Sequence, residues 1–289
     1  MVEEGFIEVP GGRVWYGVEG GGDGLPLLCL HGGPGFTHHS VASMADLADE
    51  RRVILFDQLG CGKSDRPSDP AMWRTDRYVE EVAAIREALE LDRFHMMGNS
   101  WGGMLTTRYV LDREPPVASL LLVGTPHDMP RYIAELPRLR PSLSDEVWKV
   151  IDYHEENGFT GCPEYVAAMV PFYKQHLCRL DPWPEELELS FAELGAESYE
   201  AMNGPSEFNI TGVIKDWQVG EELDRIEVPV LVMAGRYDEL SPEAQEDMAR
   251  AFPKGEFVAF ENGAHMPFFD DREAFMAAAR EFLTKVEAG

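Results

Sequence analysis

The sequence predicts a mainly parallel, doubly wound α/β sheet interrupted by one helical insertion. Three observations carry this expectation: short apolar runs bounded by turn residues, helical periodicities between them, and one long stretch in which the strand pattern disappears. Residues 5–18 alternate apolar and polar side chains around Pro10-Gly11-Gly12, the pattern of a β-hairpin with a glycine-rich turn. The runs at 27–30, 53–56, 94–97, 119–123, 230–233 and 257–260 are short and continuous, as suits strands buried on both faces of a parallel sheet. Val82, Ile85 and Leu89 fall on one helical face; Phe275, Phe282, Leu283 and Val286 do the same near the C-terminal end.

Between about residues 127 and 222 the strands vanish and proline, aromatic and acidic residues crowd together, as in Pro163-Glu164-Tyr165 and Asp181-Pro182-Trp183-Pro184. The expected division is a core of residues 1–126 and 223–289 with a helical cap at 127–222. The cap starts after Val123-Gly124-Thr125 and ends before the strand at Val230. That position puts it over the carboxyl edge of the sheet, where open α/β folds bind ligands.

The bulk composition narrows the function. A 44% hydrophobic, 10% aromatic chain of 289 residues is ordinary for a globular protein. The first nine residues carry Glu3, Glu4 and Glu8 and lack the basic and apolar regions of a secretory leader, and no apolar run approaches the roughly 20 residues of a membrane-spanning helix. The expectation is a soluble cytoplasmic protein. Twenty-five basic against 52 acidic side chains give a formal charge of −27, which repels a phosphate backbone and argues against nucleic acid as a partner. Such acidity belongs to a strongly solvated surface of the kind a salty habitat favours, and secondarily to a field that attracts cations. Cys29, Cys61, Cys162 and Cys178 are scattered, without a CxxC pair or metal-ligand spacing, and read as free thiols.

The strongest chemical signal is Gly98-Asn99-Ser100-Trp101-Gly102, which follows the strand run at 94–97 and precedes the helical stretch at 104–111. In a nucleophile elbow the serine occupies a sharp strand-to-helix turn, and small residues on either side let neighbouring backbone pass close. A serine hydroxyl needs an imidazole to take its proton, and an acid to hold that imidazole in one tautomer. Asp238 follows the strand ending near Gly235, and His265 follows the strand ending at Phe260, so both reach the carboxyl edge. The order Ser, Asp, His is that of the α/β-hydrolase fold. His38 and His39 read as a solvated loop, His127, His154 and His176 as packing or surface residues of the insertion, and His95 as part of a strand. An oxyanion hole needs two backbone N–H groups. One is expected from Trp101, the other from the loop His31-Gly32-Gly33-Pro34-Gly35. Asp57-Gln58-Leu59-Gly60-Cys61-Gly62-Lys63-Ser64 lacks the spacing of a phosphate loop and reads as a turn bordering the site. Neither a metal nor a cofactor is called for.

Together these residues resemble the proline iminopeptidase family of α/β-hydrolases, a group that also includes the tricorn-interacting aminopeptidase and L-amino-acid amidases. The matching segments are 31–35, 57–64, 98–103, Asn203-Gly204-Pro205-Ser206-Glu207-Phe208, 210–217, Tyr237-Asp238-Glu239 and Gly263-Ala264-His265, and the likeness spans essentially the whole chain. The resemblance implies Ser100, Asp238 and His265 as a triad, Gly33 with Trp101 as the oxyanion hole, and Glu207 with Glu239 as the holders of a substrate's free amino terminus. An ammonium supplies donors that a carboxylate pair in a water-poor pocket can accept. The expected activity is removal of N-terminal residues, proline favoured, from short peptides or amino-acid amides through an acyl-enzyme. An L-amino-acid amidase, an esterase or a carbon–carbon hydrolase could use the same triad. A non-catalytic binding subunit that keeps a hydrolase shell is the reading from a different class.

Overall fold

The computed structural model describes residues 3–289. Among them, eight strands form one sheet: β1 (Glu3–Val9), β2 (Gly12–Glu19), β3 (Gly24–Leu30), β4 (Arg51–Phe56), β5 (Phe94–Asn99), β6 (Val117–Val123), β7 (Val230–Gly235) and β8 (Gly255–Phe260). Their spatial order is β1-β2-β4-β3-β5-β6-β7-β8. The first two pairings are antiparallel and the rest parallel. The predicted hairpin is β1–β2, turning at Pro10 and Gly11, where a φ of 103° requires glycine.

The helices are α1 (Thr75–Ala88), α2 (Trp101–Arg113), α3 (Met129–Glu135), α4 (Asp145–Asn157), α5 (Pro163–His176), α6 (Glu185–Ala192), α7 (Ala196–Met202), α8 (Pro242–Ala251), α9 (Pro267–Asp270) and α10 (Arg272–Ala288). The continuous apolar strand runs follow from two packed layers. Leu28 and Leu30 of β3, Leu120 and Leu122 of β6, and Val230 and Val232 of β7 enter one cluster with Val82 and Ile85 of α1, Leu105 of α2 and Met248 of α8. Their neighbours Leu27, Cys29, Leu121, Val123, Leu231 and Met233 enter the opposite cluster with Phe275, Phe282 and Leu283 of α10. Side chains alternate with period two, so burial on both faces makes every position apolar. Each such Leu or Val contributes about 1.5–3 kcal/mol by leaving water.

β3, β4, β6 and β8 begin earlier than hydropathy suggests, whereas β5 and β7 begin where their apolar runs do. β4 opens on Arg51, whose buried guanidinium donates to Glu287 Oε1 at 2.6 Å, and an arginine with that partner can start a strand that an apolar count misses. Between β6 and β7 the regular elements among the described residues are helices, α3–α7 with short 3-10 turns, joined by loops. Their ends follow capping rules: Ser144 accepts from Val147 N–H ahead of α4, and Gly158 closes that helix at φ 70°. Among the described residues no helix is long and apolar enough to cross a membrane, and the four cysteines are unpaired.

Candidate active site

Ser100 stands between β5 and α2 at φ 54°, ψ −121°, a conformation costing an L-residue roughly 1–3 kcal/mol. It is held there by its own N–H donating to Val123 O at 2.9 Å, and by Gly103 and Met104 N–H donating to Ser100 O at 2.9 and 3.1 Å. The elbow tolerates no side chain at its flanks, since a Cβ on Gly98 would meet the Gly102 backbone and one on Gly102 would meet Leu30 O. The serine is thereby presented at the carboxyl end of the sheet, on the N-terminus of α2.

Asp238 and His265 arrive from the loops after β7 and β8, and both are buried. Nδ1 of His265 lies 2.8 Å from Asp238 Oδ1, which also accepts from Leu240 N–H at 2.9 Å. Gly124, at the end of β6 with φ 51°, leaves room for this pair: a Cβ there would stand 2.7 Å from His265 Nδ1 and 3.0 Å from Asp238 Oδ2. Two backbone bonds fix the loop of the imidazole to the C-terminal end of α5, His265 N–H to His176 O at 2.9 Å and Met266 N–H to Leu177 O at 3.0 Å. Burial lowers the pKa of His265, but the charges of Asp238 and Glu239 and the bond to Asp238 outweigh it and push the value up to about 9.

Gly33, at φ 110°, and Ser100 line the same cavity, and Trp101 is the first residue of α2, where a helix offers its N–H no internal acceptor. Among the described residues neither N–H has an acceptor. Gln58 locks the two halves together. Its N–H donates to His31 Nε2 at 3.0 Å, its amide nitrogen to His31 O at 2.9 Å, and its Oε1 accepts from Trp101 Nε1 at 2.8 Å. Burial lowers the pKa of His31 to about 4, so its ring stays neutral and Nε2 can accept.

Glu207 comes from the loop after α7 and Glu239 follows Asp238. Glu207 accepts from the Tyr199 hydroxyl at 2.6 Å. Glu239 is 5% exposed; its Oε1 lies 3.9 Å from His265 Nε2 and its Oε2 has no hydrogen-bond partner among the described residues. Burial raises the pKa of both carboxyls, and the charge of Glu207 raises that of Glu239 further. Two compartments open beside them, one of about 300 Å³ and one of about 20 Å³.

His31, Asp57 and Cys61 hold ligand-type atoms within 4.8 Å of one another. Those atoms are already committed: His31 Nε2 accepts from Gln58, Asp57 accepts from His38 and Lys63 N–H, and the Cys61 thiol donates to Gln58 O at 3.1 Å. Burial pushes that thiol well above its ordinary pKa, the opposite of what thiolate ligation needs.

The α/β-hydrolase fold family matches residues 26–272. A proline iminopeptidase of Heyndrickxia coagulans is 41% identical over 99% of this chain and all of its own length, and one from Saccharolobus solfataricus is 34% identical over 99% and 93%. The solved structure of a Mycobacterium smegmatis proline iminopeptidase superposes with a TM-score of 0.89 at 32% identity, covering 99% of both chains. That of VinJ reaches 0.94 at 31% identity and the same coverage. The chain belongs to the proline iminopeptidase family.

In this proline iminopeptidase relative, Ser100, His265, Gly33, Glu207 and Glu239 all line the larger compartment, while Asp238 stands behind His265 and Trp101 lines the smaller one. One sequence expectation is corrected. His38 is buried rather than solvated: its N–H and Nδ1 lie 2.7 and 2.8 Å from Asp57 Oδ1, and the pair anchors the turn at 57–64. Burial raises the pKa of Asp57, but these bonds prevail and hold it below the usual carboxylate value. The positioning roles of Gln58, Gly124 and Tyr199 escaped the sequence reading. Only the glycine directly after a buried strand run carried a signal that could have found one of them.

Proposed function

We propose that this proline iminopeptidase family member is a serine exopeptidase that removes an N-terminal residue, proline favoured, from short peptides through an acyl-enzyme. Ser100 is the nucleophile, His265 the general base and acid, and Asp238 the group that fixes the imidazole tautomer. His265 Nε2 takes the hydroxyl proton as Oγ attacks the carbonyl carbon. The oxyanion forms between the Gly33 and Trp101 N–H groups, and collapse breaks the C–N bond as His265 returns the proton to the leaving amine. Water then repeats the sequence on the ester. The helical segment between β6 and β7 acts as the cap that supplies Glu207.

The observation that carries this reading is the unpartnered, buried Oε2 of Glu239 beside Glu207 on the cavity of Ser100. An esterase has no use for a desolvated carboxylate pair there, whereas a substrate ammonium satisfies it. A prolyl p-nitroanilide should therefore be cleaved and its N-acetyl analogue refused. Equal rates on both would reduce the reading to an unspecified serine hydrolase.

A further inference from the structure

The two compartments meet at the nucleophile but are not equivalent. Gly33, Ser100, Glu207 and Glu239 line both; His265 lines only the larger, and Trp101, Met104 and Tyr132 line only the smaller. The general acid must deliver its proton to the leaving nitrogen, so the leaving group lies on the side of the imidazole. The side chain of the first residue then falls on the opposite side, in the small compartment. The volumes of about 300 and 20 Å³ thus describe a wide leaving-group side and a narrow acyl side.

We propose that the larger compartment is a subsite for an extended apolar leaving group, so that the preferred substrate joins a small first residue to a bulky hydrophobic amine or apolar following residue. This inference rests on the exopeptidase reading above. Phe36, Val166, Met169, Leu177, Phe191 and Leu194 form its walls. An ammonia leaving group, as in a free amino-acid amide, covers none of that surface. The apolar lining also reaches the outside. Gly161 borders both the chamber and an outer cleft walled by Phe159 and Pro163, and Phe159 and Val166 are more than half exposed, at 54% and 55%. A group longer than the chamber passes out over Phe159.

The test is a series of prolyl n-alkylamides, methyl, butyl and octyl, whose leaving amines have nearly the same basicity, so that only the buried chain changes. Each methylene that leaves water should raise kcat/KM about threefold to fourfold until the chamber is full, at least about 30-fold from methyl to octyl, appearing mainly in KM. Ala196→Trp, which fills the chamber from its wall, should return the octyl-to-methyl ratio toward one. A flat series, with the methylamide cleaved and its N-acetyl form refused, overturns the subsite and leaves the exopeptidase intact. A rising series that Ala196→Trp does not alter also overturns it, since the gain then arises elsewhere. Cleavage of no member overturns both.

Discussion

Glu239 Oε1 lies 3.9 Å from Nε2 of His265, while Nδ1 of the same ring lies 2.8 Å from Asp238 Oδ1. The imidazole is therefore set between two carboxylates, and its pKa rises to about 9. A raised pKa means that the neutral form, the only one that can take a proton, is scarce at pH 7 and grows as pH rises. Labelling of Ser100 by a neutral fluorophosphonate, which brings no amine of its own, should accelerate with pH along a limb above the ordinary 6.5 and toward 9. Glu239→Gln should move that limb down. A wild-type limb at or below 6.5, unchanged in the variant, would remove Glu239 from the field of the base.

A substrate ammonium between Glu207 and Glu239 cancels part of the same field. The acid limb of kcat for a free-amine substrate should accordingly lie at lower pH than the limb for fluorophosphonate labelling. Coincident limbs would show that the amine and the imidazole do not sense each other.

Ser100→Ala, His265→Ala and Asp238→Asn should each lower kcat by a factor on the order of 10⁴ to 10⁶, because the three act as one unit. Combining any two should cost little more than Ser100→Ala alone. Additive losses in the double variant, measured in a background free of wild-type enzyme, would break the unit apart.

Glu207→Gln and Glu239→Gln each remove one charge from a desolvated contact with the ammonium, a loss of about 2–5 kcal/mol. That corresponds to roughly 30-fold to several thousand-fold in kcat/KM for prolyl substrates. Circular dichroism should stay native, and fluorophosphonate should still label Ser100. Variants that match wild type on prolyl p-nitroanilide would return both glutamates to the status of ordinary acids.

Gly124→Ala tests the space beside the Asp238–His265 pair. At φ 51° the added Cβ would press on His265 Nδ1 and Asp238 Oδ2 at 2.7 and 3.0 Å, so the imidazole must shift. Because a misplacement of about 1 Å at a reacting group can cost on the order of 100-fold, kcat should fall by that order, with KM far less affected. A fall in KM-driven affinity alone would contradict the assignment.

Stability has its own test beneath α1. Arg77 donates to Glu81, which also accepts from Leu59 N–H at 3.2 Å, and both side chains are buried. Glu81→Ala strands the guanidinium without its carboxylate, and urea unfolding should register a loss of about 3–5 kcal/mol. A loss under about 1 kcal/mol would mean that water reaches the arginine.

The sheet, and the placing of Ser100, Asp238 and His265 at its carboxyl edge, were legible because their signals are local. Ser100 carried its glycines, a preceding buried strand and a following helix in one contiguous stretch, and Asp238 and His265 each followed a strand in the expected order. Glu207 is one acid among 52 until folding brings it beside Glu239, so only the family resemblance singled it out. His38 was misread for the complementary reason: its partner Asp57 lies 19 residues away and faces it only after β4 has joined the sheet. The raised pKa of His265 was illegible for the same reason, since it needs three-dimensional proximity of carboxylates.

The backbone bonds His265 N–H to His176 O and Met266 N–H to Leu177 O have a mechanical meaning. They stitch the loop of His265 to the end of α5 and to Leu177, a wall of the larger compartment, so that wall cannot shift away from the loop without pulling the imidazole off Asp238.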